Sequence, residues 1–224
     1  MIFLIFIGFA LISWLISHQL KSRFEEYSLI PTANGLSGKE VVEKMLRDHM
    51  IYGVKVETVE GQLTDHYNPA DKTINLSEAV YYGTNVAAAA VAAHETGHAV
   101  QHAEAYAWLG LRSSLVPAVS FSSRYLQWIL LGGILLINSF PALLLFGIFL
   151  FALTTIFSFI TLPVEINASN KALIWLQTSG ITTRQTHEKA EDALKWAGYT
   201  YVVAALGSLA TLLYYISIYM GRRN

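Results

Sequence analysis

The chain has 224 residues, of which 54% are hydrophobic and only 14% are charged. This composition is too apolar for an ordinary soluble domain and predicts a protein embedded in a lipid bilayer. The formal net charge is -1 without long runs of one sign, which excludes a basic surface for nucleic acid. The sequence has no cysteine, so disulfides, thiolate metal sites and cysteine nucleophiles are excluded, and any metal must be held by histidine and carboxylate side chains.

The first segment, Met1 to Ser17, is apolar throughout and is followed by a polar stretch over residues 18–26. It lacks the basic start and the small-residue cleavage site of a signal peptide. We therefore expect an uncleaved transmembrane anchor over residues 1–20.

Residues 25–114 predict a small α/β domain outside the lipid. Ser37 is placed to cap a helix whose apolar residues from Val41 to Leu46 share one face. Alternating residues over 54–59 and the apolar residues of 72–76 predict two strands.

Three further apolar segments predict transmembrane helices. Leu115–Asn138 and Pro141–Leu162 are separated by a short turn and form a hairpin over residues 115–162, and the last segment occupies residues 199–220. Each is long enough for a hydrocarbon core of about 30 Å. The predicted fold is a mainly α membrane protein with about four transmembrane helices and a small α/β domain at the membrane surface.

The remaining polar segment, residues 163–198, reads as two short helices broken at Ser179–Gly180, with Thr182 or Thr183 capping the second. In this layout both polar segments lie on one side of the membrane. The basic residues there are Lys21, Arg23, Arg112, Lys171, Arg184, Lys189 and Lys195. The positive-inside rule makes that side cytoplasmic in a multi-pass protein of the cell (inner) membrane, although Arg222 and Arg223 fall on the other side.

A metal-binding motif, His94-Glu95-Thr96-Gly97-His98, lies on a helix predicted from Val86 to about Trp108 and capped by Asn85. Helical residues four apart lie about 6 Å from each other on one face, so His94 and His98 can bind one Zn²⁺ at about 2.0–2.1 Å. Glu95 points about 100° away around the helix and is left free for a water.

This arrangement predicts hydrolysis of peptide bonds. Zinc lowers the pKa of a bound water towards 7, and Glu95 can act as the general base that takes its proton and passes it to the leaving amine. Gly97 allows backbone or substrate to approach closely.

A catalytic zinc needs a third protein ligand. His102 continues the series, but it lies about 12 Å from His94 on a straight helix, too far to share one ion. His66 and His187 are other candidates, as weak as His102.

Glu165 is the favoured third ligand. It follows Pro163 at the polar end of the third apolar segment, and carboxylates at a lipid boundary usually have a function. The hairpin returns the chain to the membrane face where His94 and His98 lie. The competing interpretation is a solvated carboxylate at the start of a helix.

These residues resemble a known family. Zinc peptidases of the gluzincin type place HExxH on one helix and a Glu on a second, and the membrane relatives of the HtpX and CAAX prenyl proteases insert a hairpin between them. The chain looks most like the bacterial YugP-type neutral zinc metallopeptidases in the segments 65–69 (DHYNP), 72–78 (KTINLSE), 92–102 (AAHETGHAVQH) and 162–169 (LPVEINAS).

The resemblance implies a zinc cofactor held by His94, His98 and Glu165, with Glu95 as the general base. It also implies that the strand near Asn75 is an edge strand, whose unpaired backbone groups pair with an extended peptide or protein substrate. The wider membrane group has an Asp four residues after the Glu ligand, where this chain has Ser169, with Asn167 nearby. A neutral oxygen there orients an imidazole less strongly, so metal affinity or turnover is expected to be lower.

Two alternative functions stay open. An intramembrane protease of the site-2 type is suggested by the alanine-rich run over residues 86–93, but residues 129–162 lack the Asp that such enzymes carry. We interpret the alanines as close packing against the hairpin. A non-catalytic membrane adaptor with a peptidase-like fold is the other alternative, which the presence of Glu95 argues against.

Further expectations concern donors and partners. A donor to the tetrahedral oxyanion is expected among Tyr199, Tyr201, Tyr214, Tyr215 and Tyr219, with none selected by spacing. The bilayer, a membrane-protein substrate or partner, and self-association are the expected interactions.

Overall fold

A computed structural model describes the backbone of residues 2–221 and the side chains of residues 6–221. Most of the described chain is helical. The elements in order are α1 (Ile2–Tyr27), α2 (Gly38–Asp48), β1 (Lys55–Val59), β2 (His66–Asn68), β3 (Thr73–Ser77), α3 (Glu78–Tyr81), α4 (Val86–Ala103), α5 (Ala107–Leu135), α6 (Pro141–Thr178) and α7 (Arg184–Gly221).

The sheet has three strands in the order β1-β3-β2, with β3 parallel to β1 and antiparallel to β2. The two predicted strands are confirmed as β1 and β3, whereas the three-residue β2 was not predicted. Asn75 pairs with Glu57 on one side and His66 on the other. The expectation that the strand near Asn75 offers a free edge is therefore wrong, because that strand is the centre of the sheet.

The predicted caps of α2 and α4 are confirmed. Ser37 forms a reciprocal capping box with Glu40 at the start of α2, and the Asn85 side chain accepts a hydrogen bond from the Ala88 amide at the start of α4. These bonds satisfy amide groups that a helix start leaves unpaired. The two helices thus begin where the sequence places them.

The main core surrounds the alanine-rich start of α4. The alanines between residues 88 and 93 are buried together with the apolar face of α2, with Ile74 and Leu76 of β3, and with residues 172–176 of α6. Small side chains let these elements approach α4 closely. The alanine run therefore packs against α2, β3 and residues 172–176 of α6. The prediction that it packs against the apolar hairpin over residues 115–162 is wrong.

The motif helix α4 ends at Ala103, earlier than the predicted Trp108. A short turn follows, in which Ala105 has a φ of 53°, a conformation that interrupts a right-handed helix. Since the chain changes direction there, α5 begins as a separate helix at Ala107.

The helices α6 and α7 each contain 38 residues, which corresponds to a length of about 57 Å. The prediction of separate helices on either side of Pro163 is wrong, because α6 continues through this proline to Thr178. The predicted break at Ser179–Gly180 is confirmed, with Gly180 at a φ of 70°. Thr183 accepts a hydrogen bond from the Thr186 amide and caps α7, which then runs without interruption into the last apolar segment.

Two of the described helices, α6 and α7, are long and apolar enough to cross a membrane. The predicted count of four spans is therefore too high for the part of the chain that the structure describes. Arg124 and Gln127 lower the mean hydropathy of α5. The side chains of residues 1–5, which complete the predicted anchor, and the Arg222–Arg223 tail lie outside the described residues.

Candidate metal centre

The three predicted zinc ligands meet where α4 packs against α6. One donor atom from each of His94, His98 and Glu165 can be chosen so that all three lie within 4.8 Å of one another. The Oε2 atom of Glu165 is 3.2 Å from Nε2 of His94 and 3.6 Å from Nε2 of His98. The helices thus bring together side chains that are 67 or more residues apart in sequence.

The donor set fits zinc in both chemistry and spacing. Imidazole nitrogen and carboxylate oxygen are ordinary zinc ligands, and two ligands at about 2.0–2.1 Å from a tetrahedral ion lie about 3.3 Å apart. The two distances from Glu165 are close to this value. The cluster could therefore hold one metal ion through three protein ligands, which is the number typical of catalytic zinc.

The Nδ1 atom of each imidazole contacts a neighbouring side-chain oxygen, and the Nε2 atom of each faces Glu165. Nδ1 of His94 lies 3.1 Å from the Ser169 hydroxyl, and Nδ1 of His98 lies 3.0 Å from Oε1 of Gln101. An acceptor at Nδ1 fixes the tautomer whose Nε2 lone pair can bind a metal. Ser169, expected as a weaker substitute for an Asp, does contact a candidate ligand.

Gln101 was not predicted as a site residue, although it is fully buried. Its side-chain amide donates to the Val164 carbonyl at 2.8 Å and to the Asn167 side chain at 2.9 Å. Through these bonds Gln101 connects His98 to the turn of α6 that carries Glu165. Its position three residues after His98 places it on the same helical face, and this spacing was the available signal.

The electrostatics of the cluster favour a positive charge among the three side chains. Burial alone would raise the pKa of Glu165, but hydrogen bonds with His94 and His98 outweigh burial and hold this pKa well below its ordinary value. Burial alone would lower the pKa of His98, yet Glu165 and Glu95 raise it above its ordinary value. A cation bound here would replace the proton that the histidines otherwise attract.

Glu95 is 8% exposed and is not part of the ligand cluster. Its Oε2 atom accepts a hydrogen bond from the backbone amide of Tyr67 at 3.0 Å. This bond anchors the carboxylate between α4 and β2. The placement agrees with the prediction that Glu95 points away from its two neighbouring histidines.

Gly97 lies at the closest approach of α4 to α6. A Cβ atom at this position would be 2.7 Å from the carbonyl oxygen of Ala168, a distance that side chains do not tolerate. The close neighbour expected at this glycine is therefore the backbone of α6. Because Ala168 is one helical turn beyond Glu165, this contact sets the distance between the two ligand-bearing helices.

The other histidines do not join the cluster. His102 forms a contact of 2.7 Å with the Tyr67 hydroxyl, His66 contacts the Thr64 carbonyl, and His187 contacts Thr182. His66 does line the cleft beside the candidate metal ligands. The interpretation of Glu165 as a solvated carboxylate at a helix start is wrong, because it is 3% exposed and lies within α6.

A cleft of about 200 Å³ opens beside the cluster, between β2 and the first turns of α5. Glu95, His98 and Glu165 line one part of it, and Arg112 and Tyr201 line another. Five tyrosines are the candidate donors to the oxyanion named from the sequence. Of these five, Tyr201 lines this cleft. Arg112 was interpreted only as a marker of membrane topology, and its place in the cleft was not predicted.

A larger cavity of about 630 Å³ adjoins the cleft and shares some of its walls. It lies between the end of β2 and α5, and most of its lining is apolar. Shared residues are Pro69, Leu109, Ser113 and Val116. The two cavities together form a groove that leads away from the candidate metal ligands.

Comparisons with known proteins agree with the geometry. A family model described as "Putative neutral zinc metallopeptidase" matches residues 2–220. The chain is also similar to the "Putative membrane protease YugP" of Bacillus subtilis (strain 168), with 41% identity over 208 residues, which are 92% of this chain and 91% of the relative. No solved structure is significantly similar to the chain.

Proposed function

The chain belongs to the neutral zinc metallopeptidase family, and on this basis we propose that it is a membrane-bound zinc endopeptidase of the gluzincin type. The observation that carries the proposal is the convergence of His94, His98 and Glu165, with Glu95 beside them in a cleft. Two helices supply these groups, which is the arrangement that the gluzincin resemblance implies.

His94, His98 and Glu165 would hold the zinc ion in this proposal. When bound, zinc supplies a Lewis acid that lowers the pKa of a water towards 7 and polarises a carbonyl group. Ser169 and Gln101 orient the two imidazoles for this role.

Glu95 would be the general base. The Tyr67 amide holds its Oε2 atom at 3.0 Å, which leaves the other oxygen for a water in the cleft. Glu95 takes a proton as the water oxygen attacks the carbonyl carbon of the substrate, and it then delivers that proton to the leaving amine. An anchored carboxylate has less conformational freedom to lose during these two transfers.

The substrate would be an extended peptide bound along the outer edge of β2. This strand pairs with β3 on one side, and the Tyr67 amide on its other side points towards Glu95. Because Glu95 engages the Tyr67 amide, a peptide would pair with the remaining backbone groups of this edge, in a way that does not depend on its sequence. The apolar cavity beyond the end of β2 is large enough for a bulky apolar side chain.

The metal centre would lie at the cytoplasmic surface of the cell membrane in a multi-pass protein. Residues 141–162 of α6 form its apolar half, and Glu165 follows within one turn. The basic residues of both polar segments favour the cytoplasmic side. Substrates near the membrane, including membrane proteins, would then reach the site readily.

The packing of α4 argues for this proposal over the two alternatives. The motif helix is surrounded by α2, the sheet and the polar half of α6, whereas a site-2-type protease would hold it within the bilayer. A non-catalytic adaptor has no use for a nearly buried carboxylate beside its metal ligands, yet Glu95 occupies that position.

The test compares the wild type with Glu95→Gln and Glu165→Ala, all purified as full chains in detergent. We expect Glu95→Gln to keep its zinc while cleavage of unfolded protein substrates falls by about 10²–10⁴-fold. Glu165→Ala should lose both zinc and activity, because a third ligand is gone. Zinc content by atomic emission and cleavage by gel and mass spectrometry measure the two effects.

Glu104→Gln is the matched control, since Glu104 is an exposed carboxylate at the end of the same helix that pairs with Lys171. Its zinc content and cleavage should equal those of the wild type. Full activity in Glu95→Gln, or no cleavage of any substrate by zinc-loaded wild type, would contradict the proposal.

A further inference from the structure

Arg112 is the basic side chain of α5 that enters the cleft of the metal centre. It lies in the second turn of that helix, and its side chain is 31% exposed. Its Nη1 atom is 3.6 Å from Oε1 of Glu165. Since Oε2 of the same carboxylate faces the two histidines, the guanidinium lies directly beside the candidate metal ligands.

Arg112 forms no hydrogen bond within the part of the chain that the structure describes. Its Nε atom is buried and has no hydrogen-bond partner among the described residues. The contact with Glu165 is an ion pair that is longer than a hydrogen bond. A guanidinium has five N–H donors in a rigid plane, and burying a donor without a partner is costly. An acceptor is therefore missing from this part of the cleft.

The carboxylates of the cleft have other partners. Asp65 accepts from the amide and hydroxyl of Ser77, Glu95 accepts from the Tyr67 amide, and Oε2 of Glu165 faces the histidines. None of these carboxylates accepts a hydrogen bond from Arg112, whose closest contact is the ion pair with Glu165 at 3.6 Å, so the guanidinium donors that face the cleft are available to a bound molecule. An oxygen bearing negative charge next to the metal ligands fits this place best.

We propose that Arg112 is a catalytic residue that donates hydrogen bonds to the oxyanion of the tetrahedral intermediate formed from the scissile peptide bond. This inference rests on the proposed peptidase function and assigns to Arg112 the stabilising role that sequence spacing left open among the tyrosines. A delocalised cation with several fixed donors is suited to an oxygen that becomes charged only during the reaction.

The reaction step balances without further reactants. The water oxygen forms a bond to the carbonyl carbon, its proton passes to Glu95, and the carbonyl π electrons move to the oxygen that faces Arg112. The C–N bond then breaks, the oxyanion reforms a carbonyl group, and the amine leaves with the proton from Glu95. Arg112 keeps its own protons and contributes only hydrogen bonds and charge.

Two other roles of Arg112 make different predictions. If Arg112 only positions Glu165, its loss weakens zinc binding in parallel with activity. If it binds a carboxylate of the substrate in the ground state, its loss raises KM and leaves kcat unchanged. A donor to the oxyanion instead affects kcat and the binding of transition-state analogues.

The experiment uses Arg112→Gln and Arg112→Lys in full-length, zinc-loaded protein in detergent. The substrate is a quenched fluorescent peptide with blocked ends that the wild type cleaves, and the analogue is a phosphinic peptide of the same sequence. We expect Arg112→Gln to lower kcat by about 10²–10³-fold with little change in KM. It should weaken binding of the phosphinic peptide by a similar factor, measured by calorimetry, and leave zinc affinity unchanged. Arg112→Lys should recover part of both losses.

Arg124→Gln is the control, because Arg124 is an exposed arginine on the same helix that does not line the cleft. It should behave as the wild type. Parallel losses of zinc and activity in Arg112→Gln, an increase in KM alone, or unchanged binding of the phosphinic peptide would overturn the assignment. If the wild type neither cleaves peptides nor binds the phosphinic peptide, the peptidase function itself fails.

Discussion

The two halves of α6 have opposite surroundings although they form one continuous helix. In the apolar half, residues 141–162, the aromatic side chains of Phe146, Phe149 and Phe159 face outward. In the polar half, residues 163–178, α4 and the core around it bury one face of the helix, including Glu165. The outward face of the first half is apolar and aromatic, whereas the buried face of the second half includes an ionisable side chain.

This difference shows where the molecule can hold a buried charge. In the apolar half the buried polar side chains are threonines whose hydroxyl groups form hydrogen bonds with close neighbours. Thr155, for example, bonds to the Phe151 carbonyl and to the Ser208 hydroxyl. In the polar half Glu165 is almost fully buried, because His94, His98 and Arg112 surround it. A carboxylate can be buried only where protein groups compensate for the lost water.

Gly97→Ala should disrupt the packing of α4 against the polar half of α6 and have the largest effect of the three substitutions. The new methyl group would lie 2.7 Å from the Ala168 carbonyl, so α4 and α6 must separate. We expect the free energy of unfolding to fall by about 3 kcal/mol. Zinc affinity should fall as well, because Glu165 moves with α6. Thermal unfolding in detergent and titration against a chelating dye measure both effects.

Gly110→Ala controls for the change of residue type, because a Cβ at Gly110 meets no atom within 4 Å. This variant should keep both its stability and its zinc affinity. An unchanged zinc affinity in Gly97→Ala would show that the contact with Ala168 does not set the geometry of the metal centre.

Gln101→Ala should weaken the metal centre without separating the helices. The change leaves Nδ1 of His98 and the Val164 carbonyl without their buried partner. Loss of such a partner typically weakens metal binding by about 10–100-fold, measured here by competition with a chelating dye. Ser169→Ala should have a smaller effect, because Ser169 is less buried than Gln101.

Gln177→Ala serves as its control, since Gln177 is exposed near the end of α6. Zinc affinity in this variant should match the wild type. Equal affinity in Gln101→Ala and the wild type would mean that His98 is oriented without its side-chain acceptor.

Gly133→Ala should affect only the packing of α5 against the apolar half of α6 and have the smallest effect. A Cβ at Gly133 would lie 2.6 Å from Cα of Leu144, where α5 packs against the start of α6. We expect a loss of about 1 kcal/mol, because the exposed turn over residues 136–140 can move to relieve the contact. Thermal unfolding should show this loss, while zinc content and peptide cleavage stay at the wild-type level. A loss of zinc in this variant would contradict the independence of the two halves.

The structure brings together the three side chains that the sequence analysis named as metal ligands, His94, His98 and Glu165. The spacing of His94 and His98 on one helix is a local property, and the motifs correctly indicated the family, which the matches confirm. Gln101 and Arg112 were missed as site residues for different reasons. Gln101 has a spacing signal that was not used, whereas Arg112 joins the cleft only through the turn between α4 and α5.

The fold was predicted less well where packing overrides local signals. Pro163 predicts a helix boundary, yet α6 continues through it because its polar half is held against α4. The strand near Asn75 was expected at an edge, but the three-residue strand β2 covers it. Such a short strand has too little periodicity to be recognised in sequence.

The sequence by itself determined the local features of this protein: an apolar chain without cysteine, two histidines four residues apart with Glu95 between them, and caps that start α2 and α4. These are properties of neighbouring residues and need no knowledge of the fold. The tertiary structure alone decided how Glu165 meets the histidines, which acceptors hold the imidazoles, and which basic side chain enters the cleft. Those contacts join residues far apart in sequence, and only the close packing of α4 against α6, permitted by Gly97, fixes their distances.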